Sequence, residues 1–382
     1  MRIAFCSNFL SAHQKPLCDV LYKKTNYEFR FIATSPLSET RKAMGWNEEN
    51  TPYVIASYKN DEAYEEAIQF IKEAAVVLIG SDDDTEFFRL AVKNTHTMIF
   101  RCCERVYRRG RWRVISPKGI KKRWNTYYKY PKNRLYMLCA SAYTAGDYAL
   151  LGSYIGRCYK WGYFTEVECI DISKILDEKD QNLIFWAGRM LELKHPELAI
   201  QVAEYLVRRN IPFQMEIAGS GPKLDWMKHQ IQVRGLTDCV HLLGVLPQKE
   251  IFNRMRKASI FLATSDYGEG WGAVINEAMS NGCAVVACNA MGAVPFLVKD
   301  GENGFSYRYR DKRKMCCSIE RLLVDQGLCR QIGLQAYKTM STLWNPNVAA
   351  DRLLHLISML EGGLTPYENG PCSRAYLFRE GH

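Results

Sequence analysis

Residues 260–282 read IFLATSDYGEGWGAVINEAMSNG, an apolar run followed by a glycine-rich loop and a helical segment. The run IFLATS (260–265) has the length and the β-branched residues of a buried strand. Three glycines within five residues predict a loop that can lie close against a ligand. The first amides of the following helix can face a phosphate group. This stretch therefore predicts one strand–turn–helix unit of a parallel α/β fold.

The same alternation of strands and helical segments continues along the chain and restarts after Gly162. The helical segments at 195–209 and 247–258 each carry Pro near the first turn. Parallel strands joined by crossover helices are expected from such a pattern. We expect strands at 2–7, 28–33, 53–57, 76–80, 97–101 and 136–140 in the first half, and at 182–188, 214–219, 240–244, 260–265 and 284–289 in the second.

The length of 382 residues is about twice that of a usual domain, which predicts two domains. The polar, acid-rich stretch TEVECIDISKILDEKD (165–180) separates the two series of strands. We predict domains at 1–165 and 166–342, a helix at 343–362 that crosses back to the first domain, and a tail at 363–382.

The composition is that of an ordinary globular protein, with 47% hydrophobic and 24% charged residues. No apolar run approaches the ~18 residues of a membrane span. The chain begins with a strand-like segment, RIAFCS, in place of a signal peptide, so we expect it to be cytoplasmic. Its 14 cysteines are scattered without a CxxC motif, which favours reduced and mostly buried thiols.

One segment accounts for the basic character of the chain. Residues 105–134 contain twelve Lys or Arg and no acid, so the net charge of +10 leaves 10 − 12 = −2 for the rest. Six aromatic residues are interleaved with these cations. The mixture suits the interface of an anionic membrane. A solvated surface loop and a nucleic-acid contact fit the same pattern, but we expect peripheral attachment to the inner face of a membrane and no nucleic acid.

Several turns after the second-half strands carry residues suited to ligand binding. Arg189 and Lys194 lie five residues apart and can clamp a diphosphate, although two exposed cations need have no ligand. Gly219 and Gly221 belong to a GSGP turn that can accept an anion or simply start a helix. Glu269 and Glu277 can accept hydrogen bonds from neighbouring hydroxyls, as sugars offer.

The segment GEGWGAVINEA resembles the Glu-x7-Glu motif of family 4 glycosyltransferases, which are retaining enzymes with the GT-B fold. The resemblance extends to GR followed by Lys194, the GSGP turn, GVLPQKEIFNRMRKA (244–258) and GAVPFLVKDGENGF (292–305), in the order usual for the family. Together these segments span about 182–306. The resemblance implies an α/β protein with two Rossmann-like domains whose parallel sheets face each other across a cleft.

The resemblance also implies roles for the site residues. Arg189 and Lys194 would hold the donor diphosphate, and Glu269 would meet the donor sugar. Glu277 would bind the ribose. No divalent metal is expected in such a site, and the only carboxylate cluster in the sequence, Asp82–Asp84, is a weak candidate for one. The full set of donor-binding residues implied is Gly188, Gly219, Gly221, Gly270, Trp271, Gly272 and Glu277.

The acceptor side departs from the family pattern. The loop SNFLSAHQKP (7–16) lacks the Gly-Gly of many relatives, but its His13 and Gln14 are candidates for acceptor contact. Glu104 or Arg101 takes the place of a histidine that the family often carries. Residues 141–164 resemble acceptor-domain sequence of polysaccharide-assembly members. Phe296 stands where relatives often have Glu.

The function implied is transfer of a sugar with retention of configuration, from a nucleotide-diphosphate donor to a hydroxyl of a glycan or lipid-linked acceptor. UDP is the expected nucleotide, with GDP as the alternative. One rival is a nucleotide-sugar epimerase of the same fold. Another is a basic membrane- or nucleic-acid-binding protein with inactive Rossmann-like domains. A dehydrogenase is disfavoured because no GxGxxG follows the first strand of either half.

Overall fold

The computed structural model describes residues 1–38, 51–80, 85–108, 110, 114, 116–132, 134–150, 152–362 and 365–378. These residues form two compact units. The first comprises Met1–Glu166 with the helix and tail that begin at Asn345, and the second comprises Val167–Trp344. Each unit has its own parallel sheet and its own apolar core.

In the first unit, strands and helices alternate along the chain. Its elements before the second unit are β1 (Ile3–Ser7), α1 (Lys15–Lys24), β2 (Phe29–Ala33), β3 (Val54–Ala56), α2 (Asp61–Glu73), β4 (Val76–Ile79), α3 (Thr85–Lys93), β5 (Met98–Cys103), α4 (Pro117–Arg123) with a π-helical turn Trp124–Tyr128, β6 (Leu135–Cys139), α5 (Thr144–Ala149) and β7 (Cys158–Lys160). The described strands form a parallel sheet in the order β3-β2-β1-β4-β5-β6-β7. The order therefore reverses between β1 and β4.

The second unit repeats this architecture. Its elements are α6 (Ile172–Glu178), β8 (Asp180–Ala187), a 3-10 turn Glu192–Lys194, α7 (Glu197–Arg208), β9 (Gln214–Ala218), α8 (Leu224–Val233), β10 (Val240–Gly244), α9 (Gln248–Lys257), β11 (Ala258–Ala263), α10 (Val274–Ser280), β12 (Ala284–Cys288), α11 (Val294–Leu297), β13 (Phe305–Tyr307), α12 (Lys312–Val324) and α13 (Gln326–Thr342). The parallel sheet has the order β10-β9-β8-β11-β12-β13.

The α/β class is confirmed, and each predicted strand is present. The central strands of the two sheets are recognisable in the sequence as apolar runs, because both of their faces are covered. In β12, for example, all five residues are buried. Two strands, β7 and β13, were not predicted. Each has three residues and lies at an edge of its sheet, so neither has the long apolar run that identifies a central strand.

The chain returns to the first unit through the helix α14 (Pro346–Glu361), which packs against α1. The side chain of Asn345 caps this helix by accepting a hydrogen bond from the amide of Val348 at 3.0 Å. The tail that follows lies along β7. The amides of Lys160 and Cys372 donate to the carbonyls of Ser373 and Lys160, respectively, each at 2.8 Å. The tail thereby covers an edge of the sheet that would otherwise expose unpaired main-chain groups.

All 14 cysteines are free thiols, and most are buried, as predicted. No helix within the described ranges is long and apolar enough to cross a membrane.

Candidate active site

The loops after β8 and β11 flank the point where the strand order of the second sheet reverses. Ligands of open α/β sheets bind beyond the carboxyl ends of the strands at such a reversal. The loop after β8 carries Arg189 and Lys194, and the loop after β11 carries Glu269. The fold therefore places three of the predicted site residues on the two loops where a ligand is expected.

Lys194 and Glu269 form an ion pair between these loops. Their side chains are 17% and 18% exposed, so both remain accessible to solvent. The loops are also joined by a threonine side chain, because Thr264 Oγ1 donates to the carbonyl of Lys194 at 2.5 Å. The pair combines an ammonium group, which can bind phosphate, with a carboxylate, which can accept hydrogen bonds from sugar hydroxyls.

Glu277 lies in the first turn of α10 and is only 9% exposed. Burial raises the pKa of its carboxyl to about 7. A hydrogen bond from Gln248 Nε2 to Glu277 Oε1, at 3.0 Å, and the positive charge of Lys194 oppose that rise. Lys194 therefore acts electrostatically on Glu277 as well as on Glu269, and the three predicted residues form one cluster.

The main chain of the GSGP turn lies directly against the main chain of the loop after β8. A Cβ atom at Gly219, whose φ is +133°, would lie 1.9 Å from the carbonyl oxygen of Gly188. One at Gly221 would lie 2.9 Å from the amide nitrogen of Met190. The amide of Gly219 donates to the carbonyl of Gly244 at 2.6 Å. These glycines permit two loops to approach each other, and their assignment to donor binding stays a prediction.

The glycines after β11 shape the loop that carries Glu269. Gly272 has a φ of +93°, and a Cβ atom there would lie 2.5 Å from Met291 Cε. The amide of Gly268 donates to Asp266 Oδ1 at 2.7 Å. Gly270 lies between Glu269 and Trp271, four residues before the start of α10. The loop leads directly into the helix whose N-terminus was predicted to face phosphate.

The side chain of Trp271 is fully buried. Its Nε1 donates to Asn276 Oδ1 at 2.8 Å. Its ring lies 6.3 Å from that of Phe296 and 6.1 Å from that of Trp344, measured between centroids. Phe296, the departure from the family pattern, therefore completes an aromatic cluster. The indole of Trp271 is a core group, which leaves only its main chain for the donor contact that the sequence predicted.

Arg189 is exposed, whereas its neighbours Gly188 and Met190 are not. The amide of Met190 donates to the carbonyl of Ser220 at 2.8 Å, which fixes the main chain beside it. Within the described part of the chain, no carboxylate forms an ion pair with the Arg189 guanidinium. The side chain is therefore available to bind an anion.

In the first unit, two of the predicted acceptor residues are linked by Tyr163. The rings of His13 and Tyr163 are parallel within 6° with centroids 5.8 Å apart. The hydroxyl of Tyr163 donates to Glu104 Oε1 at 2.7 Å, and Glu104 also pairs with Arg108. The structure thus brings His13 and Glu104 into one polar and aromatic cluster. Tyr163 and Arg108 are members that the sequence had not marked as site residues.

Gln14 and Arg101 have structural contacts. Gln14 Oε1 accepts hydrogen bonds from the amide and the hydroxyl of Ser11, at 3.2 and 2.8 Å, just before α1 begins. Arg101 is buried in β5 with its guanidinium over the ring of Phe88. Of the two candidates for the place of the family histidine, Glu104 is therefore the partly exposed one.

Part of the basic segment, residues 105–134, is buried in the first unit. Arg105 forms a fully buried ion pair with Asp147 at 3.6 Å. The guanidinium of Arg123 lies 3.7 Å from the ring centroid of Tyr148. Tyr127 is also buried. These residues therefore do not belong to an exposed membrane-binding surface, because Arg105 and Arg123 hold the segment against α5 and Tyr127 lies in the core.

The rest of the segment that the structure describes presents an exposed face with both apolar and basic groups. Ile120 and Trp124 are 50% and 60% exposed and lie four residues apart, on one side of the helical segment. Lys118 and Lys121 are exposed on the same segment. Residues 109, 111–113, 115 and 133 lie outside the described residues, as does the Asp82–Asp84 cluster. Among the remaining residues, no group of three or more His, Cys, Asp or Glu could hold a metal ion.

The part of the chain that contains this cluster matches a known protein family. Residues 170–339 match the family model described as glycosyl transferases group 1. This segment is similar to the group 1 glycosyl transferases, and we refer to it as the group 1 glycosyl transferase domain. It contains β8 to β13 and the whole Lys194, Glu269 and Glu277 cluster. The resemblance to glycosyltransferases that the sequence motifs indicated is therefore confirmed.

Two curated proteins illustrate what this domain is similar to. Exopolysaccharide phosphotransferase SCO2592 of Streptomyces coelicolor is 28% identical over 39% of this chain and 16% of its own length. Poly(glycerol-phosphate) alpha-glucosyltransferase of Bacillus subtilis is 27% identical over 46% of this chain and 25% of its own length. The chain therefore spans a quarter or less of these two relatives.

Among solved structures, Anabaena Alr3699/HepE in complex with UDP matches with a TM-score of 0.67 and 15% sequence identity. The match covers 94% of this chain and 100% of that one. The likeness thus extends beyond the group 1 glycosyl transferase domain to both units. The GT-B fold predicted from the sequence is confirmed.

One residue of the group 1 glycosyl transferase domain was missed by sequence reasoning. His195 directly follows Lys194, and its ring lies between the carboxylates of Glu197 and Asp266. Asp266 is 71 positions away, so no local motif joins the two. The available signal was a histidine beside a predicted phosphate-binding lysine.

Proposed function

We propose that the protein transfers a sugar from a UDP-sugar to a hydroxyl of a glycan or lipid-linked acceptor, with retention of anomeric configuration. The observation that carries the proposal is the clustering of Lys194, Glu269 and Glu277 at the strand-order reversal of a group 1 glycosyl transferase domain. The UDP bound to the Anabaena protein supports the choice of nucleotide. The Bacillus relative, a poly(glycerol-phosphate) alpha-glucosyltransferase by name, supports a glycan-type acceptor.

On the donor side, each residue has a separate task. Arg189 and Lys194 bind the diphosphate and neutralise the charge that develops on it as the glycosidic bond breaks. Glu269 accepts hydrogen bonds from the sugar hydroxyls. Glu277 accepts them from the ribose, a role that suits a carboxylate enclosed beside a helix N-terminus. Two cations and helix amides then supply the positive charge, and the proposal includes no divalent metal.

The reaction follows a front-face path. The bond between the anomeric carbon and the diphosphate oxygen breaks, and its electron pair stays with the diphosphate. The acceptor oxygen attacks from the same face and forms the new bond, while its proton passes to the departing phosphate. Lys194 stabilises the diphosphate most strongly at the point of greatest charge, which is the transition state.

On the acceptor side, the cluster of His13, Tyr163 and Glu104 is the proposed contact surface. The parallel rings of His13 and Tyr163 offer an apolar face, and Glu104 offers a hydrogen-bond acceptor for a hydroxyl. Arg108, paired with Glu104, adds a cation that favours an acceptor carrying phosphate. Gln14 belongs to the same loop but is engaged by Ser11.

The exposed face of the basic segment is proposed to bind the anionic surface of a membrane. Trp124 and Ile120 are placed to enter the interfacial region, and Lys118 and Lys121 to meet acidic headgroups. The buried Arg105–Asp147 pair would keep this face attached to the folded unit during binding. A lipid-linked acceptor would then be delivered at the same surface.

The test is donor consumption with and without an acceptor. UDP-sugars and GDP-sugars are first ranked by the rise in melting temperature, since a ligand that binds only the native state stabilises it. The proposal predicts that UDP-sugars rank first and that UDP is released rapidly only when a glycan acceptor is present. An epimerase would instead convert the donor without an acceptor, and that result would overturn the proposal.

A further inference from the structure

His195 has a strained main chain at a position where glycine is favoured. Its φ and ψ are +47° and +52°, the left-handed region, and it follows Lys194 directly. In this conformation the Cβ atom crowds the following carbonyl oxygen, which is unfavourable for a residue with a side chain. A non-glycine residue persists there only where its surroundings hold it, and such strain is concentrated at functional sites.

The imidazole ring of His195 is held on both sides by carboxylates. Nδ1 lies 2.7 Å from Glu197 Oε1, and Nε2 lies 3.0 Å from Asp266 Oδ2. A carboxylate accepts hydrogen bonds, so both ring nitrogens must carry hydrogen, which makes the ring an imidazolium. These two hydrogen bonds raise the pKa of His195 to about 9. The ring is therefore cationic at neutral pH.

The two carboxylates belong to different elements. Glu197 begins α7 and also binds Lys223 Nζ at 2.9 Å, and Lys223 in turn binds Glu192 at 2.8 Å. Asp266 belongs to the loop after β11, where its Oδ1 accepts the amide of Gly268. The ring of Tyr309 faces the imidazole at 5.8 Å between centroids.

The bridge ties together the loops that carry the two members of the ion pair. Lys194 precedes His195 by one residue, and Glu269 follows Asp266 by three. The amide of Asp266 donates to the carbonyl of Leu193 at 2.9 Å, so the bridge reinforces a main-chain contact between the same loops.

We propose that His195 is a positioning residue for the transfer reaction, whose imidazolium bridge from Glu197 to Asp266 fixes Lys194 opposite Glu269. The inference rests on the proposed function, in which Lys194 stabilises the departing diphosphate. Displacement of a charged group by about 1 Å can reduce a rate ~10²-fold. Loss of the bridge therefore reduces kcat while the acceptor KM stays close to its original value.

The test compares His195→Asn, His195→Gly and the control His241→Asn. Asparagine and glycine both accept the left-handed conformation, so neither adds strain, but neither can span both carboxylates. His241 is an exposed histidine of the same unit, bonded to Gln214. We expect at least a tenfold loss of kcat for both His195 variants and unchanged kcat for the control.

The pH profile separates positioning from a general structural effect. In the original protein kcat falls as the pH rises through about 9, because the neutral ring can donate only one of its two hydrogen bonds. The His195→Asn variant lacks that decline. An NMR titration of the ring, which needs no turnover, should give a pKa near 9 in the original protein and a lower one in Asp266→Asn. Equal kcat in the original protein and both His195 variants would overturn the inference, whereas absence of transfer by the original protein would instead overturn the proposed function.

Discussion

The ammonium of Lys194 and the carboxylate of Glu269 form an ion pair between two loops that are 75 positions apart in the chain. Each group is the preferred partner of a different part of a nucleotide sugar, the phosphate and the sugar hydroxyls. Both side chains are partly exposed, so a donor can reach them. The pair therefore holds the reactive end of the proposed donor site in place, while Glu277 marks the nucleoside end.

Glu277 should make donor binding depend on pH. Ribose hydroxyls favour the charged carboxylate, whereas burial in the free protein holds its pKa at about 7. Binding therefore requires loss of a proton below pH 7, and the affinity for UDP-glucose should increase about tenfold from pH 6 to pH 8. Calorimetry across this range measures the effect. In Glu277→Gln the affinity should be weaker and the pH dependence lost; a variant with the original pH dependence would exclude Glu277 as its source.

The same carboxyl affects stability with a definite sign. Its pKa in the folded protein is above the ordinary value of 4.5, so the folded state binds the proton more tightly. Its contribution to the free energy of unfolding is therefore full below about pH 4.5 and declines as the pH rises to about 7. Urea unfolding of the original protein and of Glu277→Gln at several pH values gives the difference between their free energies of unfolding. This difference should change between pH 4.5 and pH 7, and it should stay constant over that range if the carboxyl has its ordinary pKa.

Gly219→Ala should destabilise the protein through a clash with a main chain. The new methyl group would lie 1.9 Å from the carbonyl oxygen of Gly188 in the original geometry, so we expect a loss of at least ~2 kcal/mol in unfolding free energy. The control is Gly235→Ala, which has a φ of +63° but no atom within 4 Å of the added carbon. It should cost only the strain of about 1–2 kcal/mol. Equal losses in urea unfolding would show that the two loops separate easily.

Trp271→Phe should reduce stability and leave donor affinity almost unchanged. The substitution removes the hydrogen bond to Asn276 and part of the contact with the rings of Phe296 and Trp344. We expect a loss of about 1–3 kcal/mol. Thermal unfolding and UDP binding by calorimetry measure the two quantities separately. A large fall in UDP affinity with no change in melting temperature would show instead that the indole contacts the donor.

The double substitution of Ile120 and Trp124 by Ser should release the protein from anionic membranes. Both side chains are half or more exposed, and apolar area at the interface contributes to binding together with the nearby cations. We expect at least a tenfold loss of binding to vesicles that contain phosphatidylglycerol. Trp226→Ser, which removes an exposed tryptophan from α8, is the matched control. Flotation measures binding, and equal flotation of the double variant and the original protein would contradict the proposal.

Much of the fold could be predicted from the sequence because the central strands are buried on both faces. Their apolar runs stand out even without knowledge of their neighbours, as for β8 and β12. The edge strands β7 (CYK) and β13 (FSY) were missed because their three residues include polar ones, whereas the equally short β3 is the apolar run VIA. The pairing of the tail with β7 was also beyond prediction, because it joins Lys160 to Ser373 through main-chain atoms alone.

The site was predictable where its residues belong to local motifs. Lys194, Glu269 and Glu277 each lie in a recognisable segment, and the fold brings those segments together. The indole of Trp271 and the glycines of the GSGP turn were harder to interpret, since their packing partners lie in other parts of the chain. The bridge of His195 joins positions 195 and 266, and only the folded chain shows it.

The central claim is that Lys194 stabilises the departing diphosphate during sugar transfer. The most direct test is the rate of UDP release from a UDP-sugar in the presence of acceptor, measured for the original protein, Lys194→Ala and the control Lys228→Ala. Lys228 is a more exposed lysine of the same unit, paired with Asp225. We predict that Lys194→Ala lowers kcat by about 10²–10³-fold with little change in melting temperature, and that Lys228→Ala has the original kcat. A Lys194→Ala variant that transfers sugar at the original rate would contradict the account.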